Sequence, residues 1–223
     1  MPTIKDNLHE VLATIPTGVQ LVAVSKYHPM ECVAEAYEAG CRVFGENHAQ
    51  EMARKAQALP VDIQWHFIGH LQRNKVRQII PYVTMIESVD STRLMLQIEK
   101  EAHTCGKTID VLLELHIAQE ETKTGFSMQE CRAMLGEGVW RQCQHIRICG
   151  LMMMASNTDD EQQIRSEFMK ASQFFDEIKQ EFFSDEDYFK EKSWGMSSDY
   201  QIAISCHSTM VRIGTRIFGE RTY

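Results

Sequence analysis

Short runs of apolar residues alternate along the chain with segments whose apolar residues recur at helical spacing. The first run, Gln20–Lys26, ends shortly before Pro29. In the segment after it, the residues that share one helical face are Met30, Val33, Ala34 and Tyr37. Pro29 suits the first turn of a helix and Gly40 suits its C-terminal cap, so the chain opens with a strand followed by a helix.

Seven further apolar runs follow, and each is a predicted strand. In chain order they are CRVFGEN (41–47), IQWHFIG (63–69), YVTMIESVD (82–90), IDVLLELHIA (109–118), IRICGLMMM (146–154), SWGMS (193–197) and TMVRIGTRIF (209–218). The fifth strand is mostly apolar, which is typical of a parallel strand covered on both faces.

Helices are predicted between these strands. Two of them begin with a capping box, formed by Ser127 with Glu130 and by Thr158 with Glu161. The helix after the second strand is predicted to bury Ala49, Met52, Ala53, Ala56 and Leu59.

Eight strand–helix units, spaced by roughly 25 residues, predict an α/β fold that is a single (β/α)8 TIM barrel. We expect one domain over residues 1–223, with an extra helix before the first strand. A doubly wound open sheet is the alternative that this pattern leaves. No stretch rich in Pro, Gly or Ser separates two domains.

Composition narrows the classes of partner. The chain has 23 Lys and Arg against 31 Asp and Glu, a net charge of -8, which argues against a nucleic-acid or anionic membrane surface. The seven cysteines never occur as C-x-x-C and the nine histidines never as H-E-x-x-H, so we predict neither a disulfide framework nor a metal site. A polar N-terminus and the lack of an apolar run of about 18 residues predict a soluble, cytoplasmic protein.

The C-terminal ends of barrel strands meet at one mouth, where barrel proteins keep their sites. The predicted strands end there with Lys26, Asn47, His66, Asp90, His116, Met152, Ser197, Arg212, Gly214 and Thr215. Lys26 ends an apolar run, and an ammonium is costly to bury unless it is paired, deprotonated or covalently modified. Lys26 therefore either extends its ammonium to solvent or acts as an amine that forms a Schiff base.

The last two predicted strands add an anion site and a second buried charge. Ser197, Gly214 and Thr215 lie in the loops where barrels often hold a phosphate, although a single Gly-Thr pair is also typical of an ordinary loop. Arg212 lies in an apolar strand and requires an acceptor, either a carboxylate across the barrel or a ligand heteroatom. With Lys26, these groups match the phosphate, ring nitrogen and aldehyde of pyridoxal 5'-phosphate (PLP).

Several sequence stretches resemble the pyridoxal phosphate homeostasis proteins, a family with the fold of the N-terminal barrel of alanine racemase. These stretches are AVSKYHP, FGENHAQE, WHFIGHLQRNK, EETKTGF, GLMMMA, WGMSSD and STMVRIGTRIFGER, and they occur in the family's order. They extend from Ala23 to Arg221.

The resemblance implies roles for seven of these mouth residues. Lys26 holds PLP as a Schiff base, and Arg212 approaches the pyridine nitrogen. The phosphate contacts are Ser197, Gly214 and Thr215, and the residues that line the ring are Asn47 and Met152. His116 departs from the family, which usually has asparagine there, so its role is left open. The role of the HLQRNK segment is also open between anion binding and packing.

The sequence favours a cofactor carrier over an enzyme. A ring nitrogen that faces Arg212 stays unprotonated, so the cofactor is a poor electron sink. Racemases of this fold type add a second domain, whereas this sequence ends after the eighth strand. We expect a monomer with no catalytic residues, which acts in intracellular PLP homeostasis and has PLP-dependent apoenzymes and free amino acids as partners. An amino-acid racemase and a barrel aldolase that uses the Lys26 amine are the alternatives.

Overall fold

The computed structural model describes residues 3–117 and 124–220. The strands are β1 (Gln20–Val24), β2 (Val43–Glu46), β3 (Gln64–Phe67), β4 (Val83–Val89), β5 (Ile109–Leu115), β6 (Ile146–Met153), β7 (Glu191–Ser193) and β8 (Met210–Ile213). The α-helices are α1 (Ile4–Ala13), α2 (Met30–Glu38), α3 (Ala49–Ala58), α4 (Val76–Ile79), α5 (Thr92–Thr104), α6 (Met128–Glu137), α7 (Glu161–Phe182), α8 (Tyr200–Ser205) and α9 (Thr215–Phe218). Two 3-10 turns lie at Arg73–Lys75 and Val139–Gln142.

The eight strands form a closed parallel barrel in chain order. The last strand pairs with the first, in a register that runs from Gln20 opposite Met210 to Ala23 opposite Ile213. This pairing excludes the open sheet and confirms the predicted barrel. The predicted N-terminal helix is also present as α1, where the Asn7 side chain donates a hydrogen bond to the Ile217 carbonyl of α9 at 3.1 Å.

Strand residues alternate between two apolar clusters. The cluster inside the barrel contains Val22, Val43, Met85, Leu112, Cys149, Met152 and Met210. A larger cluster fills the layer between the barrel and its helices, and it includes neighbours of those residues such as Ala23, Phe44 and Leu113. Both faces of the strands are therefore buried, as the sequence of β5 indicates.

The largest departures from the predicted strands are at the ends of the last two strands. The seventh strand was expected over 193–197, but β7 is Glu191–Ser193. Gly195, with φ +94°, turns the chain out of the sheet after Trp194. The eighth strand ends at Ile213 because Gly214 is the N-cap of α9. These departures place Ser197 and Gly214 in loops at the mouth.

The helix starts agree only in part with the expected caps. Ser127 and Glu130 form the predicted capping box of α6. The second predicted box, Thr158 with Glu161, is wrong, because the Asp160 carboxylate accepts from the first-turn N–H groups of α7. The polar stretch EETKTGF lies largely outside the described residues, since the structure describes it only from Thr124 onward.

Other sequence expectations concern metals, thiols and membranes. All seven cysteines are free thiols. Within residues 3–117 and 124–220, there is no group of three His, Cys, Asp or Glu side chains that could hold a metal ion. In the same ranges, no helix combines the length and apolar character that crossing a membrane requires.

Replacing Gly150 with alanine tests how β6 pairs with β7. A Cβ at this position would lie 1.9 Å from the Glu191 carbonyl oxygen, which is backbone and cannot move aside without breaking the ladder. We expect Gly150→Ala to lower the free energy of unfolding by about 3 kcal/mol in denaturant titrations. Gly136→Ala is the matched control, because nothing lies within 4 Å of its Cβ position, and it should raise stability by about 0.5 kcal/mol. Equal stability of both variants would contradict the β6–β7 packing.

Candidate functional site

The β1–β8 pairing brings the ends of the first and last strands together at the mouth. Lys26 follows β1 and is half-buried. Gly214 follows β8, and a Cβ there would lie 3.1 Å from the Val24 carbonyl oxygen and 3.3 Å from the Val24 Cβ. Glycine thus lets the β8 end approach the strand that carries Lys26.

The three residues predicted to bind phosphate lie side by side. The Gly214 N–H donates to the Ser197 Oγ at 3.1 Å. Thr215 is exposed and is the first residue of α9, while Ser197 is half-buried. The loops after β7 and β8 therefore present two hydroxyls and a glycine backbone at one point of the rim.

Arg212 is 4% exposed and lies inside the barrel. Its Nη1 donates to the Ser193 carbonyl at 2.7 Å and to the Ser193 Oγ at 2.6 Å, and its Nη2 donates to the Met153 carbonyl at 2.9 Å. The hydrogen bonds found within the described chain use three of its five N–H groups, so the Nε N–H and one Nη2 N–H are left for a ligand heteroatom.

Glu87 is the carboxylate that the sequence analysis allowed as a partner for Arg212. Its Oε2 lies 3.8 Å from the Arg212 Nη1 and accepts from the Ser193 Oγ at 2.6 Å, and its Oε1 lies 2.7 Å from the His66 Nδ1. Burial acts to raise the pKa of Glu87, but the His66 hydrogen bond and the charges of His66 and Arg212 hold it below its usual value. Glu87 is thus an ionised side chain within the barrel.

Glu87 and Ser193 were not among the site residues predicted from the sequence. Both belong to predicted strands and occupy positions that turn inward, but their partners depend on pairing across the barrel. The available signal was a glutamate within the largely apolar run YVTMIESVD.

Asn47 follows β2 and is the neighbour of Lys26 around the rim. Its Oδ1 is buried and has no hydrogen-bond partner within the described residues. A Cβ on Gly69 would lie 2.8 Å from the Asn47 Cγ, so the loop after β3 packs tightly against this side chain. A buried amide oxygen without a donor is costly, which makes Asn47 a position suited to a ligand hydroxyl or amine.

Met152 lies deeper than the other predicted residues. It is 1% exposed and belongs to the cluster inside the barrel. It pairs in register with Ser193, the residue that accepts from Arg212. Met152 therefore lies below the mouth rather than on its rim, while Met154, two residues later, is 41% exposed.

The end of β5 adds a buried carboxylate that the sequence analysis did not single out. Glu114 is 4% exposed and accepts from the Thr124 Oγ1 at 3.3 Å. Burial, together with the charge of Asp90, raises its pKa. His116 follows β5, and its backbone N–H donates a hydrogen bond to the Phe126 carbonyl at 2.8 Å.

A cavity of about 380 Å³ lies beside Asn47 on the side away from β8. Its polar lining residues include Tyr27, Asn47, His48, His70, Gln72 and Lys75. Leu71 is buried, and the His70 Nδ1 lies 3.1 Å from the Asp90 Oδ2. The HLQRNK segment thus combines a packing residue with side chains that face a cavity.

The chain is similar to known proteins in sequence and in fold. Residues 1–222 match the family model described as "Alanine racemase, N-terminal domain". The Pyridoxal phosphate homeostasis protein of Aquifex aeolicus (strain VF5) is 35% identical over 205 residues, which are 92% of this chain and 88% of that protein. PipY of Synechococcus elongatus PCC7942, in its structure with PLP bound, has a TM-score of 0.87 at 34% identity, over 97% of this chain and 100% of that one.

A more distant likeness concerns the fold alone. Alanine racemase of Clostridium difficile 630 has a TM-score of 0.78 at 15% identity, over 99% of this chain and 60% of that one. The barrel is thus shared with a chain whose sequence differs at most positions.

Glu87→Gln tests whether Glu87 neutralises Arg212. At neutral pH the variant should be about 3 kcal/mol less stable than the unaltered protein, because it leaves a buried guanidinium without its carboxylate. The folded-state pKa of Glu87 is lowered, so its contribution is present above the unfolded value of 4.5 and is lost as pH falls through the folded value. Urea titrations should therefore show a constant difference near neutral pH that narrows under acid conditions. A difference independent of pH down to the acid transition would contradict this assignment.

Proposed function

The chain belongs to the family of pyridoxal phosphate homeostasis proteins, and on this basis we propose that it carries PLP as a Schiff base on Lys26. It stores, protects or delivers the cofactor within the cell and does not turn over amino acids. The observation that carries this proposal is the β1–β8 register, which sets Lys26, Arg212 and the Ser197–Gly214 contact around one mouth.

The residues at the mouth fit the groups of PLP. Ser197, Gly214 and Thr215 would hold the phosphate through hydroxyl and backbone donors. The Nε of Arg212 would donate to the ring nitrogen, and the buried Oδ1 of Asn47 would accept from a polar group of the ring. Met152 would support the ring from below, inside the barrel.

The carrier role follows from the proposed position of Arg212. When bound, PLP supplies an aldehyde for reaction with amines and a ring that withdraws electrons when its nitrogen is protonated. A guanidinium retains its proton, and Glu87 stabilises that charge in the barrel. Arg212 would therefore donate a hydrogen bond to the ring nitrogen without protonating it, which disfavours the carbanion chemistry of a racemase.

The proposal extends to partners and location. The chain would act as one PLP-binding domain over residues 1–223, as a monomer in the cytoplasm. Its partners would be PLP-dependent apoenzymes that receive the cofactor and free amino acids that react with it, and neither nucleic acid nor a membrane. The net charge of -8 supports the last two exclusions.

Lys26→Ala tests the covalent attachment. We expect the variant to lose the visible absorbance of the PLP adduct while its far-ultraviolet circular dichroism is unchanged, because the barrel core does not include this side chain. Borohydride reduction followed by peptide mass mapping should place the adduct on Lys26 in the unaltered protein. Lys75→Ala, at the neighbouring cavity, is the control and should retain the adduct. A reduced adduct on another lysine would refute the assignment.

An isotope-exchange assay separates the carrier from a racemase. The protein loaded with PLP is incubated with L-alanine or L-serine in deuterated buffer, and the α-proton is followed by NMR. We expect exchange no faster than with free PLP at the same concentration, because Arg212 leaves the ring nitrogen unprotonated. Sustained exchange with many turnovers per protein molecule would overturn the carrier role.

A further inference from the structure

A buried lysine contacts the backbone of the turn that carries Lys26. Lys55 lies in α3 with no exposed surface, and its Nζ donates to the Ser25 carbonyl at 2.7 Å. The buried residues of α3 are Ala49, Met52 and Lys55. The buried face of α3 thus includes a charged residue that the apolar pattern of the sequence did not predict.

Two carboxylates share the Lys55 ammonium. Its Nζ donates to the Glu46 Oε1 at 2.7 Å and to the Glu51 Oε1 at 2.8 Å. The Ser25 Oγ also donates to the Glu46 Oε1, at 2.6 Å. Burial raises the pKa of Glu46 to about 7, although Lys55 opposes that shift. Ser25 is therefore held through both its carbonyl and its hydroxyl.

The same ions hold the residue on the other side of Lys26. The Tyr27 N–H donates to the Glu51 Oε1 at 2.9 Å. Tyr27 has φ +66°, in the left-handed region that non-glycine residues rarely adopt without support from their surroundings. Lys55 thus binds Ser25 directly and reaches Tyr27 through one carboxylate, so the residues on both sides of Lys26 contact one cluster of ions.

The barrel contains a second buried lysine that serves as a comparison. Lys192 in β7 is 9% exposed, and its Nζ donates to the Ser172 Oγ at 3.0 Å and to the Asp176 Oδ1 at 2.9 Å, both in α7. Like Lys55, it joins a strand to a helix through a buried ammonium. Its described partners lie in α7 and not in the turn at Lys26.

We propose that Lys55 is the positioning residue for Lys26, which it holds at the mouth through Ser25 and through Glu51 and Tyr27. This inference rests on the proposed function, since it assigns Lys55 a role in presenting the amine to PLP. A residue that merely packed α3 against the barrel would affect stability but not the Lys26 turn in particular.

The test compares Lys55→Met with Lys192→Met. Both variants remove a buried ammonium and leave an unbranched side chain that is one atom shorter, so both should lose stability in denaturant titrations. Two further readouts are measured under conditions in which each variant is folded. The first is amide hydrogen exchange of the peptide that contains Tyr27 in protein free of PLP, and the second is the rate of adduct formation with PLP.

We expect the peptide containing Tyr27 to exchange at least about tenfold faster in Lys55→Met, and adduct formation to slow by about tenfold or more, because small displacements of a reacting group cost large factors in rate. Lys192→Met should leave both readouts unchanged. Lys55→Arg retains the charge and should restore part of both. Equal effects of the two methionine variants, or no effect of Lys55→Met, would overturn the inference.

A second variant keeps the test decisive if Lys55→Met does not fold. Glu51→Ala removes the acceptor of the Tyr27 N–H but leaves Lys55 paired with Glu46, and it should change both readouts in the same direction. Unchanged exchange of the Tyr27 peptide in this variant would contradict the inference. If the unaltered protein formed no adduct at Lys26, the proposed function would fail, while hydrogen exchange would still decide whether Lys55 holds the turn.

Discussion

The site depends on the parallel pairing of the first and last strands. In this ladder Val22 lies opposite Arg212 and Ala23 opposite Ile213. A slip by one residue would turn the Arg212 side chain out of the barrel and away from Glu87. Because the strands then continue into Lys26 and Gly214, the same register sets both the Lys26 amine and the proposed phosphate site. Barrel closure is therefore a requirement of the proposed function as well as of the fold.

Two sets of buried charges support the two sides of this mouth. Inside the barrel, Glu87 neutralises Arg212, and outside it, Lys55 contacts the turn of Lys26. Apolar residues of similar volume often replace buried ion pairs without loss of stability. What apolar residues do not supply is a directed hydrogen bond to a chosen carbonyl, such as that from Lys55 to Ser25. We therefore attribute these charges to the placement of groups rather than to the stability of the barrel.

The sequence predicted the barrel because strand and helix periods alternate clearly, and it predicted Lys26 and Arg212 because a charge in an apolar run is unusual. It did not single out Glu87 or Lys55. Glu87 meets Arg212 only across the closed barrel, so no local pattern marks it. Lys55 has a local partner, Glu51, at i,i+4 spacing, but such pairs are common on exposed helix faces. Its burial against Glu46 and Ser25 depends on how α3 packs on β1 and β2. The sequence also extended β7 past Ser193, because a glycine such as Gly195 is compatible with both a strand and a turn.

Under the proposed function, the two lysines divide two tasks that one residue could not perform. Lys26 must lose a proton to react with an aldehyde, so it has to lie at a half-buried position that a ligand can enter. Lys55 donates three hydrogen bonds, to Ser25 and to two carboxylates, so its place is fully buried among acceptors. A carrier needs its reactive amine in a constant position before any cofactor is present. The buried ammonium provides that position, because its bonds are made within the protein alone.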